Sequence, residues 1–374
     1  MLVSKPPMGW NTWNTFGEKI NEDLIKETAD VLVEKGLDKF GYKYVVIDDC
    51  WALRERDKDG KITADPVKFP HGIKALAAYL HEKGLKLGMY SCAGNMTCAG
   101  YPASFNHEFT DAETFAEWGV DFLKYDFCYL PKTVSGKYLF RRMGLALLNS
   151  GRDILFSGCS WGADNTKDWI KTTSASMWRC TGDIFDNWES LKSIITLRAD
   201  FDAVNSVGSY ADMDMLIVGM NGKGNVGLNK GCTEEEYRTH INVWTFMGSP
   251  LMVGADLRTL DDKSLKLLTN KELIAIDQDS MSCQPFDLYS SSDFMQKARI
   301  LDNGDIAVLL CNLSDTDRGT WFDLSSLSLE QSGDLDVTVT DVWTNETRGF
   351  VNQCFSTFVK AHESKVYRIK LKKK

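Results

Sequence analysis

The sequence is poor in proline and has no long apolar run. It contains 8 Pro in 374 residues, while hydrophobic residues make up 43% and charged residues 25%. This balance excludes a collagenous, low-complexity or disordered chain and indicates a globular protein with a large core. The longest apolar candidate, Ile241 to Ala255, is interrupted by Asn242, Thr245 and Ser249, and is too short to span a bilayer. We therefore expect no membrane span.

Metal-binding and redox motifs are also missing. The 5 His lie far apart without an HxH or HExxH pair, and the 10 Cys form no CxxC pair. A His-built metal site and a structural zinc site are therefore not expected, and no cofactor is predicted. The N-terminus, MLVSKPPMGW, has no apolar segment of the kind found in signal peptides. A cytoplasmic protein is expected, or a secreted one if a leader was removed.

Positive charge is in the minority, with 43 Lys+Arg against 52 Asp+Glu and a net charge of −9. Such a field repels phosphate backbones and anionic lipid surfaces, so nucleic acid is an unfavourable partner. The 11 Trp are a first hint of flat surfaces that stack against sugars or bases.

Eight short apolar runs alternate with segments long enough for a helix. The runs are Met8 to Trp13, Tyr42 to Trp51, Leu85 to Cys92, Asp121 to Cys128, Asp153 to Trp161, Met177 to Asp183, Asp212 to Val218 and Pro250 to Asp256. Helical spacing connects them, as in Ile73, Leu76, Ala77 and Leu80. Thr110 with Glu113 and Thr233 with Glu236 are spaced as capping boxes. The pattern predicts an α/β fold, a (β/α)₈ TIM barrel, over residues 1–284.

The pattern changes to a period of two in the remaining residues, 285–374. Tyr367, Ile369 and Leu371 alternate with basic residues, and two apolar runs flank a turn at 302–305. This predicts a small C-terminal antiparallel β-sandwich domain. The absence of a low-complexity linker indicates that it packs against the barrel.

Charged residues end several of the barrel strands, where barrel enzymes carry their catalytic groups. Asp48 and Asp49 end the second run, and Lys124 and Asp126 share one side of the fourth. The sixth run carries Arg179 and Asp183. We expect Lys124 to keep Asp126 ionised, and a second carboxylate of raised pKa to complete a retaining glycoside hydrolase pair. Each Asp alone is equally compatible with a helix cap.

Three tryptophans lie at strand ends as well. Trp13, Trp51 and Trp161 are candidates for stacking against a sugar, although each alone is compatible with core packing.

The order of motifs along the chain resembles glycoside hydrolase family 27, the family of α-galactosidases and α-N-acetylgalactosaminidases. The stretches are PPMGWNTWNTF (6–16), YVVIDDCW (44–51), GMYSCAG with TCAGYP (88–102), LKYDFC (123–128), CSWG (159–162), WRCTGDI (178–184), DMDML (212–216) and HINVWTFMGSPLMVGADLR (240–258). They cover the whole barrel, whereas the β tail matches only in position and type.

The resemblance implies a retaining exo-glycosidase that releases terminal α-linked galactose from oligosaccharides or glycoconjugates. It assigns Asp126 as nucleophile and Asp183 as acid/base. The implied substrate-binding residues are Asp48 and Asp49 for the 4-OH and 6-OH, Lys124 and Arg179 for the 3-OH and the 2-position, Trp13 and Tyr90 for the sugar face, and Cys98 and Asp214. Cys98 and Cys128 match positions that form a disulfide in relatives.

One departure from the family pattern concerns the sugar 2-position. Ser160 and Ala163 stand where most galactose-cleaving relatives have larger residues. Small residues there are similar to the acetamide pocket of α-N-acetylgalactosaminidases, so terminal α-N-acetylgalactosaminyl saccharides are the alternative substrate. A β-L-arabinopyranosidase is a more distant alternative.

Rival functions remain open from the residues alone. Lys124 could form a Schiff base in a barrel aldolase, although a neighbouring Asp raises the lysine pKa. A carbohydrate-binding scaffold would lack one catalytic carboxylate, and both are present. Gly222, Gly224 and Gly227 match GxGxxG, but no strand-turn-helix unit surrounds them. The oligomeric state is left open, with a homodimer as one alternative.

Overall fold

The computed structural model describes residues 2–198, 205–327, 329 and 335–373. These residues form a strand-and-helix barrel followed by a β domain, as the change of periodicity predicts. The predicted boundary at 284/285 falls between the last helix of the first part, which ends at Asp277, and the next strand, which begins at Phe286. In the described residues, no helix is both long and apolar enough to cross a membrane.

Eight parallel strands make the barrel. They are β1 (Met8–Asn11), β2 (Tyr44–Val46), β3 (Lys86–Cys92), β4 (Phe122–Asp126), β5 (Leu155–Cys159), β6 (Met177–Arg179), β7 (Tyr210–Asp212) and β8 (Leu251–Val253). Neighbours pair in the order β7-β6-β5-β4-β3-β2-β1-β8. A parallel bridge between Leu216 and Val253 joins the two ends of this series, which confirms the predicted barrel.

The seventh strand differs from its prediction. We expected Asp212 to Val218, but β7 ends at Asp212. Asp214 has φ +83°, in the left-handed region that interrupts an extended strand. The apolar residues after it return to the barrel through Leu216, whose N–H donates to Met252 O at 2.7 Å. The apolar run 212–218 therefore contains the last residue of β7, a kink at Asp214 and the bridging residue Leu216.

Helices surround the barrel. They are α1 (Trp13–Phe16), α2 (Glu22–Glu34), α3 (Gly72–Glu82), α4 (Glu108–Glu117), α5 (Gly136–Asn149), α6 (Trp188–Arg198), α7 (Glu234–Met247), α8 (Asp262–Leu268) and α9 (Lys271–Asp277). The predicted capping box of Thr233 and Glu236 opens α7. The one predicted at Thr110 is wrong, because α4 begins two residues earlier at Glu108, whose carboxylate pairs with Arg142 at 2.6 Å.

The β domain contains a six-stranded and a two-stranded antiparallel sheet. The predicted hairpin across 302–305 is present, with Ile300 opposite Ile306. A separate apolar core, which includes Phe294, Val308 and Phe355, lies within this domain. The strands are β9 (Phe286–Ser290), β10 (Phe294–Ile300), β11 (Ile306–Asn312), β12 (Arg318–Asp323), β13 (Leu335–Asp341), β14 (Thr347–Gly349), β15 (Cys354–Val359) and β16 (Ser364–Lys373).

The β domain packs against α7 through buried polar contacts. Asn242 of this helix donates to Ser364 Oγ at 2.9 Å and accepts from Trp343 Nε1 at 2.9 Å. The buried Arg299 donates to Phe246 O at 3.1 Å. Because these groups find hydrogen-bond partners across the contact, the two domains form one packed unit, as predicted.

Candidate active site

A cavity of about 310 Å³ lies at the carboxyl ends of the barrel strands. It is lined by ten of the twelve residues predicted for the site: Trp13, Asp48, Asp49, Tyr90, Cys98, Lys124, Asp126, Arg179, Asp183 and Asp214. Six different strands, β1, β2, β3, β4, β6 and β7, supply these side chains or precede them in the chain. As predicted, the ends of the strands bring side chains that are distant in sequence around one cavity.

A larger cavity, of about 840 Å³, lies at the opposite end of the barrel. Its lining includes Ile154, Ser176 and Ser209, which directly precede β5, β6 and β7. Barrel enzymes carry their chemistry at the carboxyl ends of the strands, so the smaller cavity is the candidate active site.

Asp48 and Lys124 form a buried ion pair at the closed end of the cavity. Lys124 Nζ lies 2.8 Å from Asp48 Oδ2, which also accepts from Asn11 Nδ2 at 2.7 Å. Burial acts to lower the pKa of Lys124, but the charge of Asp48 and its neighbours outweighs burial and holds that pKa above its ordinary value. An aldolase lysine needs the reverse, a lowered pKa that frees the amine. The ion pair with Asp48 and the raised pKa of Lys124 therefore argue against the Schiff-base alternative.

Asp49 is fixed by backbone groups. Its Oδ1 accepts from Cys50 N at 2.7 Å, and its Oδ2 accepts from Ala99 N at 2.9 Å. Burial raises the pKa of Asp49 in spite of these bonds. Ala99 directly follows Cys98, which forms a disulfide with Cys128 as the family resemblance implied. The disulfide thus ties the loop that carries the Ala99 amide to the end of β4.

Asp126 ends β4 and is 5% exposed. Its Oδ1 accepts from Phe127 N at 2.8 Å, and its Oδ2 accepts from the Tyr90 hydroxyl at 3.0 Å. Burial raises the pKa of Asp126 to about 6, although the Lys124 charge and these two bonds each act to lower it. Asp126 therefore is an ordered carboxylate that ionises near pH 6.

Arg179 lies between two carboxylates on the other side of the cavity. Its Nη2 is 2.9 Å from Asp183 Oδ1, and its Nη1 is 2.9 Å from Asp214 Oδ1. Arg179 is buried, whereas the Asp183 side chain is 64% exposed. Burial acts to raise the pKa of Asp183, but the charge and hydrogen bond of Arg179 outweigh it and hold the pKa below its ordinary value.

The pKa values of Asp126 and Asp183 are thus shifted in the opposite directions to those we expected. We expected Lys124 to keep Asp126 ionised and Asp183 to have the raised pKa. Instead, Lys124 donates to Asp48 rather than to Asp126, and Arg179 stabilises ionised Asp183. In the free protein Asp126 takes up a proton before Asp183 as the pH falls.

Two of the three strand-end tryptophans line the cavity, namely Trp13 and Trp161. Trp51 does not, so its stacking role is wrong. It is 2% exposed, packs edge-on against Phe115 and donates from Nε1 to Tyr90 O at 2.9 Å. It therefore buttresses the strand that carries Tyr90.

Ser160 and Ala163 are absent from the described residues that line the cavity, which corrects their assignment to the sugar 2-position. The backbone turns after β5 with Trp161 at φ +56°. As a result Cys159 and Trp161 face the cavity, while the Ser160 hydroxyl is buried 2.6 Å from Thr166 Oγ1. The small size of Ser160 therefore adds no space to the cavity, and Ala163 is exposed outside its lining.

Further cavity residues were missed by sequence reasoning: Asn14, Cys159, Phe185, Met215, Asn225 and Val226. Asn225 and Val226 lie in the loop whose glycines match GxGxxG. Its Gly224, at φ +86°, lets the loop approach the backbone of Thr15 too closely for a side chain. The glycines thus bring the loop against the active site and do not open a phosphate-binding helix.

One cluster in the described residues brings together three side chains of metal-ligating type, namely Cys98, Asp126 and Cys128. Both cysteines are joined in the disulfide. Because metals bind thiolates, this cluster is not a metal centre.

The sequence matches two family models in chain order. Residues 5–279 match the model described as alpha galactosidase A, and residues 298–369 match the alpha galactosidase C-terminal beta sandwich domain. An alpha-galactosidase of Cyamopsis tetragonoloba is 43% identical over 367 residues, which cover 98% of this chain and 86% of that protein.

Solved structures agree with this match over the full fold. Alpha-galactosidase I of Mortierella vinacea is 33% identical with a TM-score of 0.91, and the match covers 98% of this chain and 97% of that one. The alpha-galactosidase of Saccharomyces cerevisiae with raffinose is 28% identical with a TM-score of 0.88, and the match covers 98% of each chain. The chain therefore belongs to the melibiase family of glycoside hydrolases, glycoside hydrolase family 27.

Proposed function

We propose that the protein is a retaining exo-α-galactosidase that releases terminal α-linked galactose from oligosaccharides or glycoconjugates. The observation that carries this proposal is that the cavity has one buried end and one end open to solvent. Asp48, Asp49 and Lys124 form its buried closed end, and the exposed Asp183 lies at its mouth. A monosaccharide held at the closed end presents its anomeric carbon toward Asp126 and Asp183.

The closed end supports recognition of a terminal galactose. Asp48 and Asp49 are each 2% exposed, so their oxygens can accept from the axial 4-OH and the 6-OH without competition from bulk water. Lys124 and Arg179 are the donors for the 3-OH and the 2-position. Since protein encloses this end, a second sugar attached there has no exit, which supports exo cleavage.

In the first step, Asp126 Oδ attacks the anomeric carbon as the bond to the leaving oxygen breaks. Asp183 gives its proton to that oxygen, and a covalent galactosyl ester on Asp126 results. In the second step, Asp183 takes a proton from water, the water oxygen attacks the same carbon and the ester bond breaks. The two inversions give retention, and both carboxyls return to their first state.

The first step requires Asp183 to be protonated, although Arg179 favours its ionised form in the free protein. A sugar hydroxyl that accepts from Arg179 would draw the guanidinium away from Asp183. The acid would then regain a higher pKa in the complex, where its proton is needed.

The lining near the 2-position favours galactose over N-acetylgalactosamine. Trp161 lines the cavity beside Cys159, whose Sγ lies 3.9 Å from Arg179 Nη1. With Arg179 at the 2-position, Cys159 and Trp161 are the residues of this segment that an acetamide group would meet. We therefore propose that α-N-acetylgalactosaminides are poor substrates.

A panel of para-nitrophenyl glycosides tests this function. We expect turnover of the α-galactoside and a kcat/KM lower by about 10- to 200-fold for the α-N-acetylgalactosaminide, since one blocked contact is worth about 1–3 kcal/mol. The β-L-arabinopyranoside, which lacks the 6-OH that Asp49 would bind, should also react more slowly. A preference for either alternative substrate would overturn the proposal.

A further inference from the structure

Phe185 is an exposed aromatic side chain at the mouth of the active-site cavity. It is 43% exposed, yet it lines the same cavity as Asp183. The residues on both sides of it, Ile184 and Asp186, are fully buried. An apolar ring held in water at the edge of a carboxylate-rich cavity has hydrophobic surface available to a ligand.

The backbone around Phe185 is anchored at each residue. Ile184 N donates to Asp214 Oδ2 at 2.8 Å, Phe185 N donates to Ser190 Oγ at 2.9 Å, and Asp186 N donates to Val226 O at 3.0 Å. These bonds fix the segment from one side of the cavity to the other. The exposure of Phe185 is therefore set by the fold and is not a feature of a loosely held loop.

The buried carboxylate of Asp186 strengthens this anchor. It accepts from Gly222 N at 2.7 Å, from Cys232 N at 3.0 Å and from the Tyr237 hydroxyl at 2.9 Å. A ring on such a fixed base can contact a ligand with little loss of conformational entropy.

The leaving group must pass Phe185 if the proposed function holds. The galactosyl ring occupies the closed end, and Asp183 must reach the oxygen that joins galactose to the leaving group. Asp183 is the exposed member of the pair, so the leaving group extends outward beyond it. Phe185 lies two residues further along the anchored segment and lines the same opening.

We infer that Phe185 is a specificity-determining residue that contacts the leaving group and speeds cleavage when that group is a ring with an apolar face. The contact lies outside the galactose-binding residues. It therefore selects among leaving groups and makes no contribution to the binding of galactose itself.

The test compares Phe185→Ala and Phe185→Tyr on two substrates that need the same proton. A galactosyl-α-1,6-glucose disaccharide carries a ring as its leaving group, whereas methyl α-galactoside does not. We expect Phe185→Ala to lower kcat/KM by about tenfold for the disaccharide, as for loss of one aromatic contact. The value for the methyl galactoside should change less than twofold, and Phe185→Tyr should retain activity on both.

Two controls separate this inference from the proposed function. Inhibition by free galactose should be unchanged in Phe185→Ala, because galactose occupies only the closed end. Phe109→Ala removes a similarly exposed phenylalanine from α4 and should change kcat/KM for neither substrate. Equal losses on both substrates, or no loss on the disaccharide, would overturn the inference. A wild type without α-galactoside hydrolysis would instead refute the proposed function.

Discussion

Removal of the Tyr90 hydroxyl should move the acidic limb of the pH profile. In Tyr90→Phe the buried ring remains, but the 3.0 Å hydrogen bond to Asp126 Oδ2 is lost. A hydrogen bond to a charged group is worth about 1.5–3 kcal/mol, and one pKa unit corresponds to 1.36 kcal/mol. A loss of about 2 kcal/mol therefore raises the pKa of Asp126 by about 1.5 units from its value of about 6.

The sign follows from the role of Asp126. The nucleophile acts only when it is ionised. A higher pKa of Asp126 therefore reduces activity at pH values below that pKa and has little effect on activity at pH values well above it. At pH 6 the ionised fraction falls from one half to about one thirtieth, and kcat/KM should fall by about fifteenfold. Near pH 9 the profiles of the variant and the wild type should converge.

The assay is the pH dependence of kcat/KM with α-galactosyl fluoride, whose leaving group needs no proton from Asp183. Tyr125→Phe is the matched control, because Tyr125 is buried on β4 and its hydroxyl has no partner in the part of the chain described. Its acidic limb should stay in place. A Tyr90→Phe profile that is lower at every pH, with its limb still near pH 6, would refute the reasoning.

Three further predictions concern the same groups. With α-galactosyl fluoride, kcat/KM should rise through about pH 6 and stay high, whereas a disaccharide that needs a proton from Asp183 should lose activity on the alkaline side; superimposable profiles would contradict these roles. Asp126→Asn should be inactive but more stable to urea by about 3 kcal/mol above pH 6, because the pKa of Asp126 rises from 3.8 to about 6 in the folded protein. That difference should vanish below about pH 4, and a gain that does not depend on pH would refute it. Reduction of the Cys98–Cys128 disulfide should release the Ala99 amide from Asp49 and lower kcat/KM by about tenfold, as measured before and after treatment with dithiothreitol. Unchanged kinetics after reduction, verified by thiol titration, would show that the loop is held without the disulfide.

The sequence predicted which carboxylates meet in the cavity because the barrel imposes a simple rule. Asp48 and Asp126 follow buried apolar runs, and the carboxyl ends of parallel strands meet at one face. The rule depends on periodicity and strand direction alone. It therefore brought together residues that are far apart in the chain without any knowledge of their contacts.

Local backbone geometry limited the prediction elsewhere. The turn at Trp161 directs the indole into the cavity and turns Ser160 away from it, and the kink at Asp214 ends β7 early. Both residues have positive φ without being glycine, a state that neither composition nor spacing reveals. Ser160, which the family pattern assigned to the sugar 2-position, is therefore outside the cavity, whereas Asp214 lines it although β7 ends before that residue.

The sequence also could not predict which of Asp126 and Asp183 has the higher pKa. Lys124 and Asp126 share a strand face, but the ammonium donates across the barrel to Asp48. Arg179 reaches Asp183 four residues later in an irregular segment. A pKa depends on which partner lies within a few ångströms, and that choice is made by tertiary contacts.

The central claim is that Asp126 is the covalent nucleophile of a galactose-releasing enzyme. Its most direct test is incubation with 5-fluoro-α-D-galactosyl fluoride, followed by proteolysis and mass spectrometry. The ring fluorine slows hydrolysis of the ester, so the glycosyl-enzyme should accumulate. We predict one added fluorogalactosyl group, located on Asp126. A label on another residue, or none while the reagent is turned over, would contradict the account.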